Sequence, residues 1–206
     1  MTLSAVEVDK LKQAPAAERI IPAVLHRWSP RAFADKPVSD ADLKTIFEAV
    51  RWTASSSNEQ PWRFLVGRKG SETYAKIFAS LAEGNQVWAA KAPVLILGMA
   101  YGLTQRNTPN GAAVYDLGQA AGTLVLQATA LGLSAHQMGG YDRDKARQEF
   151  GIPAEYHFGA VIALGYQGEP SQLTVERLLQ AETSPRSRRE LSEFVLSGLG
   201  EALHLG

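Results

Sequence analysis

The strongest constraint on the fold is a long apolar segment near the middle of the chain. Residues 112–131 are predicted to form a helix that is apolar on nearly every side, and residues 117–141 contain no charged side chain. That length would suffice to cross a membrane. Glutamine and threonine recur along the segment, however, and its end is polar, which favours a helix buried in a core. Gly118 and Gly122 share one face and would let a second helix or a flat ligand approach closely, so the helix has to be covered by the chain or by a partner subunit.

The rest of the chain alternates between short apolar runs and amphipathic segments. Because strands are separated by helices and no segment repeats, we expect one domain over residues 1–206, with a central sheet covered by helices. Pro15 and Pro22 are expected to interrupt the N-terminal helices, residues 101–111 to form a flexible loop, and residues 191–199 to form an amphipathic segment. Strands are predicted at 63–67, 93–100 and 158–165, and helices at 3–13, at 16–25, after Ser39, after Ser71 and between Asp142 and Gly151.

Composition narrows the class of protein. Lysine plus arginine and aspartate plus glutamate number 21 each, so no bulk field attracts nucleic acid or an anionic membrane. Cysteine is absent, which excludes disulfides and thiolate catalysis and is compatible with a reducing compartment. The first residues include Glu7 and Asp9 and lack a basic-then-apolar leader, so we expect a cytoplasmic enzyme.

A polar loop interrupts the chain at residues 55–62. Three serines and an asparagine compete with their own backbone for hydrogen bonds, and Pro61 disfavours the α conformation at Gln60. The segment cannot be an α-helix, and it lies between a helix ending near Trp52 and the strand at 63–67. Polar loops held on rigid elements often carry binding sites.

Two basic segments and a glycine pair are further candidates. Arg27, Ser29 and Arg31 alternate along a segment predicted to be extended, so they could converge on one anion; the alternative is a pair of solvated arginines. The run 186–189 is either a second anion contact or a solvated basic surface. Gly139 and Gly140 either let the backbone approach a ligand or form an ordinary turn.

Several chemistries lack their residues. The four histidines do not have zinc-site spacing, so we expect no metal site, and there is no G-x-S-x-G elbow, Walker A loop or G-x-G-x-x-G fingerprint. No side chain stands out as a nucleophile or general base. Many polar anchors without a reactive group indicate that a bound cofactor performs the reaction.

These segments, in this order, resemble the nitroreductase family of FMN-dependent oxidoreductases over roughly residues 20–195. Four separated motifs carry the resemblance: R-x-S-x-R at 27–31, S-S-x-N-x-Q-P-W at 55–62, the Q-M-G-G segment at 137–140, and the basic run before L-S-E-F at 191–194. The resemblance implies an α+β fold, a three-layer α/β/α sandwich with a central, mostly antiparallel sheet, assembled as a homodimer. It also implies an FMN contacted by Arg27, Trp28, Ser29, Arg31, Ser55, Ser56, Asn58, Gln60, Gln137, Met138, Gly139, Gly140, Arg186 and Arg188.

The implied activity is transfer of hydride from NAD(P)H through the flavin to a nitroaromatic, quinone or other small conjugated acceptor, in a ping-pong cycle. No side chain of this chain is catalytic in that scheme, although the backbone at Gly139 is expected near flavin N5. Trp88 stands where some members have a lysine, and Gly139 where some have a glutamate; Asn85 and Tyr101 are candidate pocket walls. The alternatives are a flavin-dependent dehydrogenase of another substrate class and a non-catalytic FMN carrier or sensor.

Overall fold

A computed structural model describes residues 3–14 and 19–203 of the protein. Its strands form a central four-stranded sheet and a C-terminal hairpin, and helices connect them. The helices are α1 Ala5–Lys12, α2 Pro22–His26, α3 Asp40–Arg51, α4 Glu72–Ser80, α5 Glu83–Ala89, α6 Ala113–Ala130, α7 Arg143–Phe150 and α8 Glu176–Thr183. The strands are β1 Trp62–Arg68, β2 Val94–Tyr101, β3 Ser134–Met138, β4 Tyr156–Gly165, β5 Leu196–Gly198 and β6 Glu201–Ala202.

The central sheet is antiparallel throughout, with strand order β1-β2-β4-β3. β2 is an inner strand of the sheet, and its residues from Val94 to Ala100 are all buried. Leu97 lies opposite Leu65 on β1 and Val161 on β4. A continuous apolar run therefore became a strand covered on both faces, as predicted.

Two hydrophobic cores lie on opposite faces of this sheet. Leu95 and Leu97 pack with Ile77 of α4 and Trp88 of α5, whereas Val94 and Ile96 pack with residues of α3 and α6. Successive side chains of a strand point to opposite faces, so neighbouring residues of β2 serve different cores. This arrangement is the predicted three-layer α+β sandwich. Among the described helices, none is long and apolar enough to span a membrane.

Local signals placed five helix ends correctly. The side chains of Ser39, Ser71 and Asp142 accept hydrogen bonds from main-chain N–H groups of the first turns of α3, α4 and α7, at 3.0, 3.2 and 2.9 Å. Gly132 and Gly151 follow α6 and α7 with φ of 75° and 60°. Both are left-handed, and glycine adopts that conformation at helix C-termini without steric cost.

Other expectations about the elements were wrong or incomplete. Pro22 begins α2 instead of interrupting it, because the first helical position needs no N–H donor; residues 15–18 lie outside the described part of the chain. Helices α5 and α8 and strand β3 were not predicted from the sequence. β3 is short and polar and so resembles a loop, and α8 lacks a capping side chain that would mark its start. The C-terminal amphipathic segment forms a 3-10 turn followed by the β5–β6 hairpin.

Candidate functional site

The segment 27–31, which we call the arginine loop, rests on the edge strand β3. The imidazole of His136 on β3 is 3.0 Å from the carbonyl oxygen of Pro30, and since a carbonyl only accepts, Nδ1 carries the proton. The Arg27 guanidinium donates to Ser29 Oγ at 3.4 Å, so these two side chains converge as their spacing suggested. The indole of Trp28 is instead buried, with Lys12 Nζ 4.8 Å from the centroid of its ring.

The C-terminal tail brings two more arginines to this loop. Arg186 donates to the carbonyl oxygens of Arg27 and Leu25, 159 and 161 residues earlier in the chain. Burial and the nearby Arg188 lower the pKa of Arg27. The pKa of Arg186 is also lowered, first by burial and then by Arg27 and Arg188. Arg27, Arg186 and Arg188 form what we call the arginine cluster.

Among the described residues, no ion pair neutralises this cluster. In the described ranges, the salt bridges are Arg51–Glu48, Arg68–Asp40 and Lys76–Glu72, and none includes a member of the arginine cluster. Guanidinium groups that lower one another's pKa gain free energy when an anion binds between them. The cluster is therefore suited to a phosphate or carboxylate.

Arg31 points to a neighbouring cavity. This cavity has a volume of about 210 Å³, and its lining residues are Arg31, Ala82, Gly84, Asn85, Trp88, Arg177 and Leu178. Asn85 Nδ2 donates to the carbonyl oxygen of Gly140 at 2.8 Å, which joins the cavity to the end of β3. Its charged lining residues are arginines only, so the cavity favours an electron-rich or anionic group.

In the segment after β3, the main chain is more accessible to a ligand than the side chains are. Gly139 is exposed, and a Cβ added there would meet no heavy atom within 4 Å, whereas one at Gly140 would lie 3.0 Å from Asn85 Nδ2. Gln137 is exposed, but the side chain of Met138 is 3% exposed and belongs to the hydrophobic core. A flat ligand could therefore approach the main chain at Gly139 from the open side.

The segment 55–60, which we call the serine loop, has an unusual backbone. Ser57, Asn58 and Gln60 have φ of 50°, 56° and 48°, although none is glycine. Left-handed non-glycine residues store strain and cluster at binding sites. Residues Ser56–Asn58 form a single 3-10 turn, so the expectation of a segment without α-helix was correct. Ser55 Oγ accepts from the Gln60 N–H at 3.1 Å and closes the loop on itself.

A second cavity adjoins the serine loop. Glu59 accepts a hydrogen bond from the main-chain N–H of Gln105 at 2.9 Å, which ties the loop to residues 102–111. The space between them measures about 430 Å³ and is lined by Ser57, Glu59, Thr104, Gln105, Arg106 and Thr108.

Within one chain the two loops lie at opposite edges of the sheet. The serine loop leads into β1 and the arginine loop rests on β3, and these are the outer strands of the order β1-β2-β4-β3. Three strand spacings separate the edges, on the order of 14 Å. One chain therefore presents two partial sites.

Two buried acids near these loops were missed by the sequence analysis. Asp116 of α6 is 1% exposed and accepts from the Ser56 N–H at 3.1 Å. Glu182 of α8 is fully buried and accepts from the N–H groups of Arg31, at 2.9 and 3.0 Å, and of Ala32, at 3.0 Å. In the sequence Asp116 is a single acid near the start of an apolar helix and Glu182 is one of several charges near the C-terminus, and no motif marks either.

Comparisons with known proteins agree on one family. The model of the nitroreductase family matches residues 24–89 and 67–166. A protein of Streptomyces coelicolor named "Putative NADH dehydrogenase/NAD(P)H nitroreductase" is 30% identical over 159 residues, which cover 68% of this chain and 78% of that protein. A crystal structure of an oxidoreductase containing FMN is 34% identical with a TM-score of 0.82, and the match covers 91% of this chain and 94% of that one. A structure from Desulfovibrio desulfuricans in complex with FMN is 26% identical with a TM-score of 0.66, covering 89% and 98%.

Proposed function

Because this chain belongs to the nitroreductase family, we propose that it is an FMN-dependent oxidoreductase that moves hydride from NAD(P)H to a small conjugated acceptor. The observation that carries the proposal is the unpaired arginine cluster on the arginine loop. It supplies the charge that an FMN phosphate requires, and the relatives that contain FMN share this fold. Hydrogen bonds to charged groups contribute about 1.5–3 kcal/mol each, so two or three suffice for tight retention of the cofactor.

The residues around the cluster fit the rest of an FMN molecule. Arg27, Ser29, Arg186 and Arg188 would hold the phosphate, and the open backbone at Gly139 would face the flavin ring. FMN, when bound, supplies the hydride-accepting and hydride-donating chemistry. The chain supplies orientation, exclusion of water and hydrogen bonds, because no described side chain at this site is placed as a nucleophile.

We further propose that the working form is a homodimer and that each FMN contacts both subunits. Val114 and Tyr115 at the start of α6 are 53% and 73% exposed, and Trp52 is 77% exposed. Apart from the backbone of α6 itself, no atom of the described residues lies within 4 Å of a Cβ added at Gly118 or Gly122, so this face of α6 is open. A second copy covering that face would bring its serine loop, with Ser55, Ser56, Asn58 and Gln60, toward the arginine loop of the first.

The chain acts in this proposal as one domain over residues 1–206, in the cytoplasm. The donor and the acceptor would use the same open face of the ring in turn, which is a ping-pong cycle. The cavity bearing Arg31, Asn85 and Trp88 would then lie near the bound flavin and would bias the choice of acceptor toward electron-poor molecules with anionic or strongly dipolar groups.

The test is the absorbance spectrum of the purified protein, followed by anaerobic titration with NADH and with NADPH. We expect flavin absorbance that bleaches with at least one donor and returns when a nitroaromatic or a quinone is added. Flavin absorbance without bleaching would identify a carrier or sensor. A protein that cannot be reconstituted with FMN would refute the proposal, and sedimentation analysis of the same sample tests the dimer.

A further inference from the structure

Glu182 is the most deeply buried charged residue among those described near the arginine loop. It is 0% exposed, and its carboxylate makes three hydrogen bonds with N–H groups about 150 residues earlier in the chain. Burial raises the pKa of Glu182, and the bonds from Ala32 and Arg31 oppose that rise. An ionised carboxylate in such a place is costly unless it is fully hydrogen-bonded. We therefore interpret the burial of Glu182 through the main-chain geometry that its hydrogen bonds fix.

Lys12 completes the arrangement from the other side. Its Nζ donates to the carbonyl oxygen of Ala181 at 2.8 Å and covers the ring of Trp28. Burial lowers the pKa of Lys12 and the charge of Glu182 raises it again. Lys12 and Glu182 thus lie beneath the arginine loop as a buried cation and anion, each bound to main-chain atoms.

The contacts of Glu182 leave the binding groups of the loop free. Glu182 holds the main chain at Arg31 and Ala32, His136 approaches the carbonyl of Pro30, and Arg186 donates to the carbonyl of Arg27. Each of these bonds fixes backbone only. The guanidinium of Arg27 and the hydroxyl of Ser29 stay paired with each other at 3.4 Å and available to an anion.

We propose that Glu182 is a positioning residue for the anion site, which holds the arginine loop in the shape that presents Arg27 and Ser29 to the phosphate of the cofactor. The inference rests on the proposed function. Charge alone predicts the opposite effect, because a buried anion beneath the arginine loop weakens the attraction of that loop for phosphate. Removing the charge of Glu182 without changing its size therefore separates the two roles by the sign of the effect.

The experiment compares Glu182→Gln with wild type for binding of FMN and of riboflavin, which lacks the phosphate, by quenching of flavin fluorescence. The glutamine oxygen can accept from Arg31 and Ala32, but its NH₂ group faces the Arg31 N–H, and the charge-assisted bonds are lost. We expect FMN affinity to fall roughly five- to tenfold and riboflavin affinity to change less than about twofold. The matched control is Glu176→Gln, which removes the same charge from an exposed position of α8 where it accepts only from Gln180.

Each other outcome overturns the inference. Tighter FMN binding would show that Glu182 acts through its charge, and an equal loss for FMN and riboflavin would show a general structural role. If Glu182→Gln does not fold, Glu182→Asp is the second variant, because it keeps the charge but shortens the side chain. The ratio of FMN affinity to riboflavin affinity is expected to fall in the same way. An unchanged ratio contradicts the inference. If the wild type binds no FMN, the proposed function itself is refuted. If the wild type binds FMN and the variant binds it equally well, only the role of Glu182 is refuted.

Discussion

The arginine loop and the serine loop are both held by a buried carboxylate from a distant helix, yet they store free energy differently. The arginine loop has an ordinary extended backbone at Arg27 but gathers charges, and burial lowers the pKa of Arg27 and of Arg186, which donates to its carbonyl oxygen. The serine loop is nearly neutral but holds Ser57, Asn58 and Gln60 at positive φ. The arginine loop therefore loses free energy through desolvation and charge repulsion, whereas the serine loop loses it through strained backbone dihedral angles. The first should respond to pH and charge, and the second to backbone substitutions.

The largest effect is expected at acid pH, through His136 beneath the arginine loop. Burial lowers the pKa of His136 from 6.5 to about 4, and the charges of Arg31 and Arg27 act in the same direction. The unfolded chain therefore takes up a proton near pH 6.5 that the folded chain refuses until about pH 4. Stability is unaffected above pH 6.5 and is lost as pH falls, by up to about 3 kcal/mol.

The check is urea unfolding of wild type and His136→Phe at pH 7 and pH 5. The variant keeps a ring against Trp88, whose centroid lies 4.5 Å from that of His136. Wild type should lose about 2 kcal/mol more than the variant over this interval. Burial raises the pKa of Glu182, which makes its protonation favour the folded state, but that contribution is common to both proteins and cancels. Parallel pH curves would contradict the prediction.

The second effect is on cofactor affinity. Arg27→Ala should weaken FMN binding by roughly ten- to hundredfold, because a charge-assisted contact worth about 1.5–3 kcal/mol is lost. The apoprotein should not be destabilised, since Arg186 and Arg188 are relieved of a repelling neighbour. Arg189→Ala is the matched control, with the same charge change one residue beyond the cluster. Equal losses in the two variants would mean that only net charge matters.

The third effect concerns the serine loop. Asp116→Ala removes the acceptor of the Ser56 N–H and should lower the free energy of unfolding by about 1–2 kcal/mol. Asp116→Asn keeps one oxygen as acceptor and should cost less than half as much. Urea unfolding of both variants measures the difference. If the alanine variant is as stable as wild type, the loop does not depend on Asp116.

The smallest effect separates strain from hydrogen bonding within the serine loop. Ser57→Gly relieves a left-handed conformation of an exposed residue, so stability should rise by between about 0 and 1 kcal/mol, the gain being reduced by the entropy of glycine in the unfolded chain. Ser71→Gly is the control, because Ser71 has a φ of −85° and caps α4. That change should destabilise by a few tenths of a kcal/mol. A loss at Ser57 as large as at Ser71 would mean that its backbone is not strained.

Much of the fold was readable because its signals are local. An apolar run predicted β2, capping serines and Asp142 predicted the starts of α3, α4 and α7, and Pro61 before a polar cluster predicted the serine loop. β3 was missed because a short polar edge strand resembles a loop, and α8 was missed because no capping side chain marks its start. These two missed elements carry His136 and Glu182, which is why the support of the arginine loop was missed with them.

The sequence by itself determined most of the elements, the candidate loops and the resemblance to a flavin-dependent family, which implied the α+β class, since each depends on neighbouring residues or short motifs. Only the tertiary structure decided the strand order, the opposite placement of the two loops, and the approach of Arg186 to Leu25 and Arg27. It also decided that Asp116 and Glu182 are buried. A carboxylate on an amphipathic helix has the same sequence pattern whether it faces water or a distant backbone, because its burial depends on which elements pack together and not on its neighbours in the chain.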